Sequence, residues 1–329
     1  MKSSSRLATA AAEIIIFIIR EAEDFKSVYL VIDIFDYYST SAEFKKENIL
    51  NFCKFHLCGI IIIVHCLRRF NQYMLDMHLH ILPGVDDGAY SEEISLEMAE
   101  IALDSGVTCV IATPHANQMG RFENFYTPEF AARFDRLREL FALKQLPLKV
   151  LNGMEIMSSN DMAEKIKDGR LVGLNGTDRY LIEFPFEAGL GWINDRINDV
   201  IGLGKTPVIA HAERYDCVKR DPDLVSDWIG MGAVIQVNRG SLFGGFGRSA
   251  FAAADYLLNA DMVDLIASDA HGSEWRTPFL LDSYDAIASR FGTERAFRLF
   301  EGNPKAIAEG TAIIRAKSAK SFRGNPEWE

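Results

Sequence analysis

The feature that most constrains the fold is a regular alternation of short apolar runs with longer amphipathic stretches, which begins at Met74. Repeated strand–helix units of this kind favour an α/β fold, in which helices pack against a parallel sheet. Because about seven units follow one another, a closed barrel is the predicted architecture, with an open doubly wound sheet as the alternative. The predicted strands cover residues 75–80, 108–113, 149–151, 180–184, 207–210, 233–237 and 264–267.

The clearest predicted helix, residues 91–105, carries recognisable signals at both ends. Ser91 is a favourable N-cap, and Glu92 and Glu93 lie in the first turn, where the helix dipole favours negative charge. Gly106 follows the last residue, as is common after helices. Further helices are predicted at residues 128–143, 193–203, 223–230, 249–258 and 283–290.

Residues 1–73 differ from the rest of the chain, since they contain a single glycine, Gly59, and no proline. Glu13 interrupts the first apolar run, and the run at residues 57–67 is shorter than the roughly 20 residues of a spanning helix. We therefore expect no stable membrane insertion and predict an atypical extension at 1–73 before a main domain at 74–329. A signal or anchor, a short accessory segment and a gene start placed too far upstream are the alternatives for the extension.

The overall charge and the cysteine content exclude several function classes. A net charge of −11 argues against a nucleic-acid groove, because phosphate backbones attract basic surfaces. Five cysteines in 329 residues are too sparse for a disulfide scaffold. Neither observation excludes a local basic pocket for a single phosphate group.

Metal-ligating side chains collect at the ends of the predicted strands. Five of the seven histidines follow or end a strand, and three carboxylates share this placement. The carboxyl ends of parallel strands converge on one face of a barrel, so these side chains are expected to meet there. Imidazole and carboxylate together suit Zn, Mn or Fe, and more ligands than one ion can use indicate a multinuclear centre. The residues are His78, His80, His115, Glu155, Glu183, His211, Asp269 and His271.

Two arginines stand close to these positions in the sequence. Arg214 follows His211, and Arg276 follows His271, each in a predicted loop after a ligand-bearing strand. Arginine binds phosphate oxygens through paired hydrogen bonds. The pair therefore favours phosphate esters as substrates.

The same residues form motifs that resemble the polymerase and histidinol phosphatase (PHP) superfamily. Within it, they are similar to the bacterial tyrosine phosphatases of capsule and exopolysaccharide loci, the CpsB/CapC-like branch. The resemblance covers roughly Met74 to Gly310, with the motifs in order along the domain. The motifs are Asp76-x-His78-x-His80, Val85-Asp86-Asp87-Gly88, Thr113-Pro114-His115, Gly153-Met154-Glu155, Leu181-Ile182-Glu183-Phe184, Ile209-Ala210-His211-Ala212-Glu213-Arg214-Tyr215 and Ala267-Ser268-Asp269-Ala270-His271.

The resemblance implies a distorted (β/α)7 barrel of the PHP type with a three-metal centre, typically of manganese. It implies that the eight strand-end residues named above are metal ligands. It further implies that Asp87 is an additional ligand or neighbour of the third metal, and that Arg214 and Arg276 bind the phosphate. The ligand types leave Fe and Zn as alternatives to Mn.

The activity implied by the resemblance is hydrolysis of phosphotyrosine by a metal-bound hydroxide, in the regulation of capsule or exopolysaccharide synthesis. The implied partner is a bacterial tyrosine kinase of polysaccharide export, and the expected location is the cytoplasm. Thiolate tyrosine phosphatases use Cys-x5-Arg, a spacing that none of the cysteines fits. A small-molecule phosphatase such as histidinol-phosphatase and a non-catalytic phosphotyrosine-binding regulator remain alternatives; a nuclease is disfavoured by the negative charge. The oligomeric state is left open.

Overall fold

The computed structural model describes residues 73–315. The predicted extension at 1–73 lies almost wholly outside these residues, so its boundary with the main domain stays a prediction. None of the helices in the described part of the chain combines the length and apolar character that crossing a membrane requires.

Residues 73–315 contain nine short strands, all parallel to their neighbours, at the centre of this part of the chain. β1, β2 and β4 form one sheet, and β3 with β5 to β9 forms the other. The strands are β1 (Met74–Leu79), β2 (Val107–Ala112), β3 (His115–Ala116), β4 (Lys149–Asn152), β5 (Glu155–Met157), β6 (Arg179–Glu183), β7 (Thr206–Ile209), β8 (Val234–Asn238) and β9 (Leu265–Ala267).

Two of the strand lines consist of two segments each, and the predicted strands at 108–113 and 149–151 correspond only to the first segments, β2 and β4. β3 continues the line of β2 beyond Pro114, and β5 continues the line of β4 beyond Gly153. Proline has no N–H for a ladder hydrogen bond, but its carbonyl still accepts from the Glu155 N–H at 3.1 Å. Nine segments therefore form seven strand lines, the number predicted from the sequence.

The two outer strand lines are joined to each other through the segment that follows β9. Leu79 pairs in parallel with Ala270, the His80 N–H donates to the Ala270 carbonyl and the Asp269 N–H donates to the His78 carbonyl, both at 2.8 Å. This connection curls the parallel strands into a distorted barrel. The predicted barrel is confirmed, and the open doubly wound alternative is wrong.

The helices cover the outside of the strands, and the main predicted helices are present with ends shifted by a few residues. Ser91 caps the first helix as predicted, accepting from the Ile94 N–H at 3.4 Å. The helices of eight or more residues are α1 (Glu92–Asp104), α2 (Pro128–Leu143), α4 (Leu190–Gly202), α6 (Leu224–Met231), α8 (Arg248–Asn259) and α9 (Leu281–Phe291). Shorter ones, none of which was predicted, are α3 (Met162–Lys167), α5 (Asp216–Arg220), α7 (Arg239–Leu242), α10 (Thr293–Phe297) and α11 (Asn303–Ala308).

The face of the strands that points into the barrel is apolar where the strands begin and polar at their carboxyl ends. Side chains alternate across a strand, so Leu181 and Glu183 of β6 share one face, as do Leu265 of β9 and Asp269 beyond it. Leu181 and Leu265 belong to a small apolar cluster, whereas the opposite face packs the larger core beneath the helices. The apolar start of each strand thus supports a polar group at its carboxyl end.

The Tyr215 side chain links the carboxyl ends of β6 and β7 through hydrogen bonds. Its fully buried hydroxyl donates to the Ala210 carbonyl after β7 at 2.9 Å and accepts from the Phe184 N–H after β6 at 3.2 Å.

We expect Tyr215→Phe to lower the free energy of unfolding by about 1–3 kcal/mol, because two buried backbone groups lose their shared partner. Denaturant unfolding measures the change. The matched control is Tyr256→Phe, whose exposed hydroxyl bonds Asp223 at 2.6 Å and whose loss is expected to cost no more than about 0.5 kcal/mol. Equal effects of the two substitutions would contradict this role for Tyr215.

Candidate metal centre

The structure brings all the predicted ligand residues together at the carboxyl ends of the strands. His78 lies in β1 and His80 one residue beyond it, while His115, Glu155 and Glu183 lie in β3, β5 and β6. The remaining three residues lie in the loops after β7 and β9. Three groups have ligand atoms mutually within 4.8 Å: His80, Asp87, His115 and His271; His78, His80 and Glu155; and His115, Glu155 and Glu183.

The carboxylate of Glu155 lies at the centre of the cluster. Its Oε1 is 2.9 Å from His211 Nε2 and 3.2 Å from His78 Nε2. Its Oε2 is 2.9 Å from His115 Nδ1 and 3.3 Å from His80 Nε2. A single buried carboxylate therefore contacts four imidazoles, an arrangement that brings several metal-ligating atoms to one point.

A second carboxylate, that of Asp269, faces the other side of the cluster. Its Oδ1 lies 3.5 Å from Nε2 of both His78 and His80, and these two nitrogens are 3.4 Å apart. These three atoms lie within 3.5 Å of one another, close enough together to be ligands of a single ion.

Burial makes the electrostatics of these groups interdependent. Burial alone would raise the pKa of Glu155 and Asp269, but the neighbouring histidines hold both well below the usual carboxyl range. Burial alone would lower the pKa of His115 and His211, but nearby carboxylates raise it to about 9 and about 10. In the metal-free protein these ion pairs stabilise the cluster, and metal binding must displace protons from the imidazoles.

His271 differs from the other histidines. Its burial, together with the neighbouring charge on His80, lowers its pKa to about 3. Its Nδ1 lies 3.0 Å from the Asp269 carbonyl, and its Nε2 lies 3.6 Å from Asp87 Oδ1. A neutral imidazole in this position can act as a metal ligand without first losing a proton.

Asp87 lies at the rim of the centre, in a loop fixed by its neighbour Asp86. Asp87 Oδ1 is 3.4 Å from His115 Nε2, and its Oδ2 accepts from Arg121 at 2.9 Å. The loop runs directly against the backbone of His80, because a Cβ on Gly88 would lie 2.2 Å from the His80 carbonyl oxygen. Asp87 thus lies within 3.6 Å of both His115 and His271, and its predicted role as a ligand or neighbour of the third metal stays a prediction.

Asp86 orients two of the ligands, a role that the sequence analysis did not assign. Its Oδ2 lies 2.7 Å from His80 Nδ1 and accepts from the His115 N–H at 2.9 Å. A carboxylate at Nδ1 leaves Nε2 of the imidazole free to face a metal. Asp86 lies within one of the quoted motifs, so its place in the sequence was the available signal.

Gln236 and Asn238 of β8 form a second orienting network that was also missed. Gln236 Oε1 lies 3.1 Å from His78 Nδ1 and accepts from the His211 N–H at 2.8 Å. Gln236 Nε2 donates to Asn238 Oδ1 at 2.7 Å, and Asn238 Nδ2 donates to Asp269 Oδ2 at 2.5 Å. The signal was two amide side chains on one face of an otherwise apolar strand.

Three of the site residues have left-handed backbone conformations. The φ angles are +33° at His211, +50° at Asp269 and +50° at Arg276. Such conformations cost about 1–3 kcal/mol each in non-glycine residues and persist where surrounding contacts enforce them. Here the His211 N–H donates to Gln236 Oε1, and the Asp269 N–H donates to the His78 carbonyl.

Both predicted arginines lie beside Asp269. Arg214 Nη1 is 3.4 Å from Asp269 Oδ2, Arg276 Nη2 pairs with the same oxygen, and Arg276 Nε donates to the Asp269 carbonyl at 3.1 Å. The two arginines and all of the predicted ligands except His78 and His80 line one open cavity of about 440 Å³. Two cations therefore face the same space as the metal-ligating atoms.

The donor set fits a multinuclear metal centre. Nitrogen and oxygen donors without a cysteine suit Mn, Fe or Zn, and three overlapping groups offer more ligands than one ion can use. His211 directs its Nε2 into the cluster, 2.9 Å from Glu155 Oε1 and 3.5 Å from Glu183 Oε1, as a ligand nitrogen would be.

Comparison with known proteins gives concordant matches. The family described as "Capsular polysaccharide synthesis, CpsB/CapC" matches residues 74–309. Tyrosine-protein phosphatase YwqE of Bacillus subtilis is 34% identical over 242 residues, which cover 74% of this chain and 94% of that protein. Tyrosine-protein phosphatase CpsB of Streptococcus pneumoniae is 34% identical over 241 residues, which cover 71% and 98%.

A solved structure gives the same match in three dimensions. It belongs to the crystal structures of YwqE from Bacillus subtilis and CpsB from Streptococcus pneumoniae, described as unique metal-dependent tyrosine phosphatases. The TM-score is 0.68 at 33% sequence identity, with 74% of this chain and 97% of the solved chain covered.

We expect Gln236→Leu to weaken Mn²⁺ binding by roughly 10- to 100-fold, because His78 and Asp269 lose the network that fixes their orientation. Competition against a fluorescent chelator measures the dissociation constant. Val237→Ala is the control on the opposite face of β8, expected to lower stability but not metal affinity. Unchanged Mn²⁺ affinity in Gln236→Leu would contradict the role of Gln236 in orienting the predicted ligands.

Proposed function

The chain belongs to the CpsB/CapC family, and on that basis we propose that it is a metal-dependent protein-tyrosine phosphatase. The observation that carries the proposal is the juxtaposition of a histidine–carboxylate cluster with two arginines around one cavity. The first group suits metal ions and the second suits a phosphate dianion. Together they bind the two components that phosphate ester hydrolysis needs.

We assign the metal-holding role to the eight strand-end residues and Asp87. Metal ions bound there would lower the pKa of bound water and offset negative charge on phosphate oxygens. Glu155 and Asp269, lying between neighbouring histidines, are the carboxylates best placed to serve more than one ion. Manganese is the proposed metal, in a three-metal centre; Fe and Zn fit the same ligands.

The arginines are assigned to the phosphate group. Arg214 and Arg276 share Asp269 Oδ2, so they approach the ligand cluster from its open side. Their N–H groups are held in place before the substrate arrives, and they can offset charge that grows on the phosphate oxygens during transfer.

The cavity also has an apolar wall that suits the phenyl ring of phosphotyrosine. Its wall carries Met119, Met157, Pro185 and Phe186 beside the polar centre. Apolar walls with a few convergent polar groups are typical of sites for aromatic ligands. This lining favours phosphotyrosine over the small-molecule alternative, histidinol phosphate.

The natural substrate is proposed to be a phosphotyrosine protein, specifically a bacterial tyrosine kinase of polysaccharide export. The family description supports a role in capsular polysaccharide synthesis. The cytoplasmic location expected from the sequence stays a prediction.

We predict that His211→Ala and Asp269→Ala each abolish turnover without unfolding the protein, because each removes a central ligand from an otherwise intact barrel. Release of phosphate from a phosphotyrosine peptide and circular dichroism measure the two properties. The activity of His271→Ala is measured beside them, because His271 lies near Asp87 at the rim of the cluster. Full activity in either of the first two variants, with a native spectrum, would overturn the assignment of ligands.

Chelation should abolish activity, and added Mn²⁺ should restore cleavage of a phosphotyrosine peptide but not of histidinol phosphate. The same preparation, chelated and reloaded, is assayed with both substrates. Cleavage of histidinol phosphate alone would keep the metal site but contradict the proposed substrate. Activity that survives complete removal of metal would contradict the proposed chemistry.

A further inference from the structure

A loop rich in glycine, residues 239–247, brings an aromatic ring to the arginines of the site. The loop follows β8 and begins with α7 (Arg239–Leu242). The ring of Phe246 lies 4.1 Å from the Arg214 guanidinium carbon and 5.4 Å from that of Arg276. Among the described residues, it is the one aromatic side chain within cation–π range of both.

Arg214 is enclosed from two sides. Its guanidinium lies 4.4 Å from the ring of Phe186, in addition to its contact with Phe246. Aromatic faces attract a guanidinium and leave its in-plane N–H groups free to bond. Two rings therefore fix the plane of Arg214 while its N–H edge points toward Asp269.

The backbone of the loop is shaped to admit this ring. A Cβ on Gly240 would lie 2.6 Å from Phe246 Cε2, closer than real side-chain contacts allow. The Gly245 N–H donates to the Gly240 carbonyl at 2.8 Å, which folds the loop back on itself. The position of Phe246 thus depends on glycine at 240, a feature that ordinary surface packing does not require.

We infer that Phe246 is a positioning residue for phosphate binding, which holds Arg214 and Arg276 in the orientation that grips the phosphate group. The inference rests on the proposed function, since it assumes that these arginines bind phosphate. A long side chain with many rotamers loses less entropy on binding when its plane is already fixed. The gain appears as tighter binding of phosphate and of the phosphorylated substrate.

The test measures the Kd of inorganic phosphate by calorimetry on the full-length, Mn²⁺-loaded protein, and the KM of a phosphotyrosine peptide. Phe246→Leu should raise both by roughly tenfold, with unchanged metal content. Phe246→Trp should restore most of the affinity because it restores an aromatic face. Gly240→Ala should weaken binding like Phe246→Leu because it displaces the ring.

The matched control is Phe243→Leu in the same loop. Phe243 is 52% exposed and lies over Arg239, which pairs with Asp282 rather than with the site. Phosphate affinity should be unchanged in this variant. Equal losses from Phe243→Leu and Phe246→Leu would mean that the loop acts only by its general packing, and would overturn the inference.

A double-mutant cycle separates this inference from the proposed function. Arg214→Gln should weaken phosphate binding by roughly 100-fold, and Phe246→Leu should cost less in that background because the two residues act together. Undiminished affinity in Arg214→Gln would overturn the proposed phosphate site itself. Two outcomes would overturn the role of Phe246 but leave the proposed phosphate site intact. One is a large effect of Arg214→Gln with no effect of Phe246→Leu, and the other is fully additive effects of the two substitutions.

Discussion

The structure depends on one buried carboxylate, that of Glu155, which is placed among four imidazoles. A charge so deeply buried is tolerated only when it is paired, and here the pairing draws residues from β1, β3 and β5 and from the loop after β7 to one point. The barrel supplies this convergence, because parallel strands end on the same face. The same geometry lets the histidines and carboxylates pair with one another, so that binding of a metal ion must displace protons from the imidazoles.

Around this cluster lies a layer of residues that hydrogen-bond to the predicted ligands and fix their orientation. Asp86 fixes His80, and Gln236 fixes His78 through the ring nitrogen that faces away from the centre. β8 contributes no predicted ligand, yet its two amide side chains connect the loops after β7 and β9. Gln236 also accepts from the N–H of His211, whose backbone is left-handed, so the same side chain orients His78 and supports this strained conformation.

The open side of the site is organised by cations rather than by ligands. Arg214 and Arg276 converge on Asp269 Oδ2, and aromatic rings from two loops enclose them. The two arginines place positive charge in this cavity of an otherwise acidic chain, which is where the proposed function puts the phosphate dianion. The histidine–carboxylate cluster and the arginines meet at a single carboxylate, that of Asp269, so the proposed function implies that the affinity for metal and the affinity for phosphate are coupled.

The sequence by itself determined the seven strand lines, the helices between them and the residues at the strand ends, since the alternation of apolar and polar positions reports which side of a strand is buried. It also identified Arg214 and Arg276, through their spacing from the histidines. The breaks before β3 and β5 were missed because a proline and a glycine interrupt the ladder without ending the strand line. Only the tertiary structure showed that Gln236, Asn238 and Asp86 contact the predicted ligands and that Phe246 lies over the two arginines. Their roles depend on contacts between segments distant in the chain, and no periodicity within a single segment records such contacts.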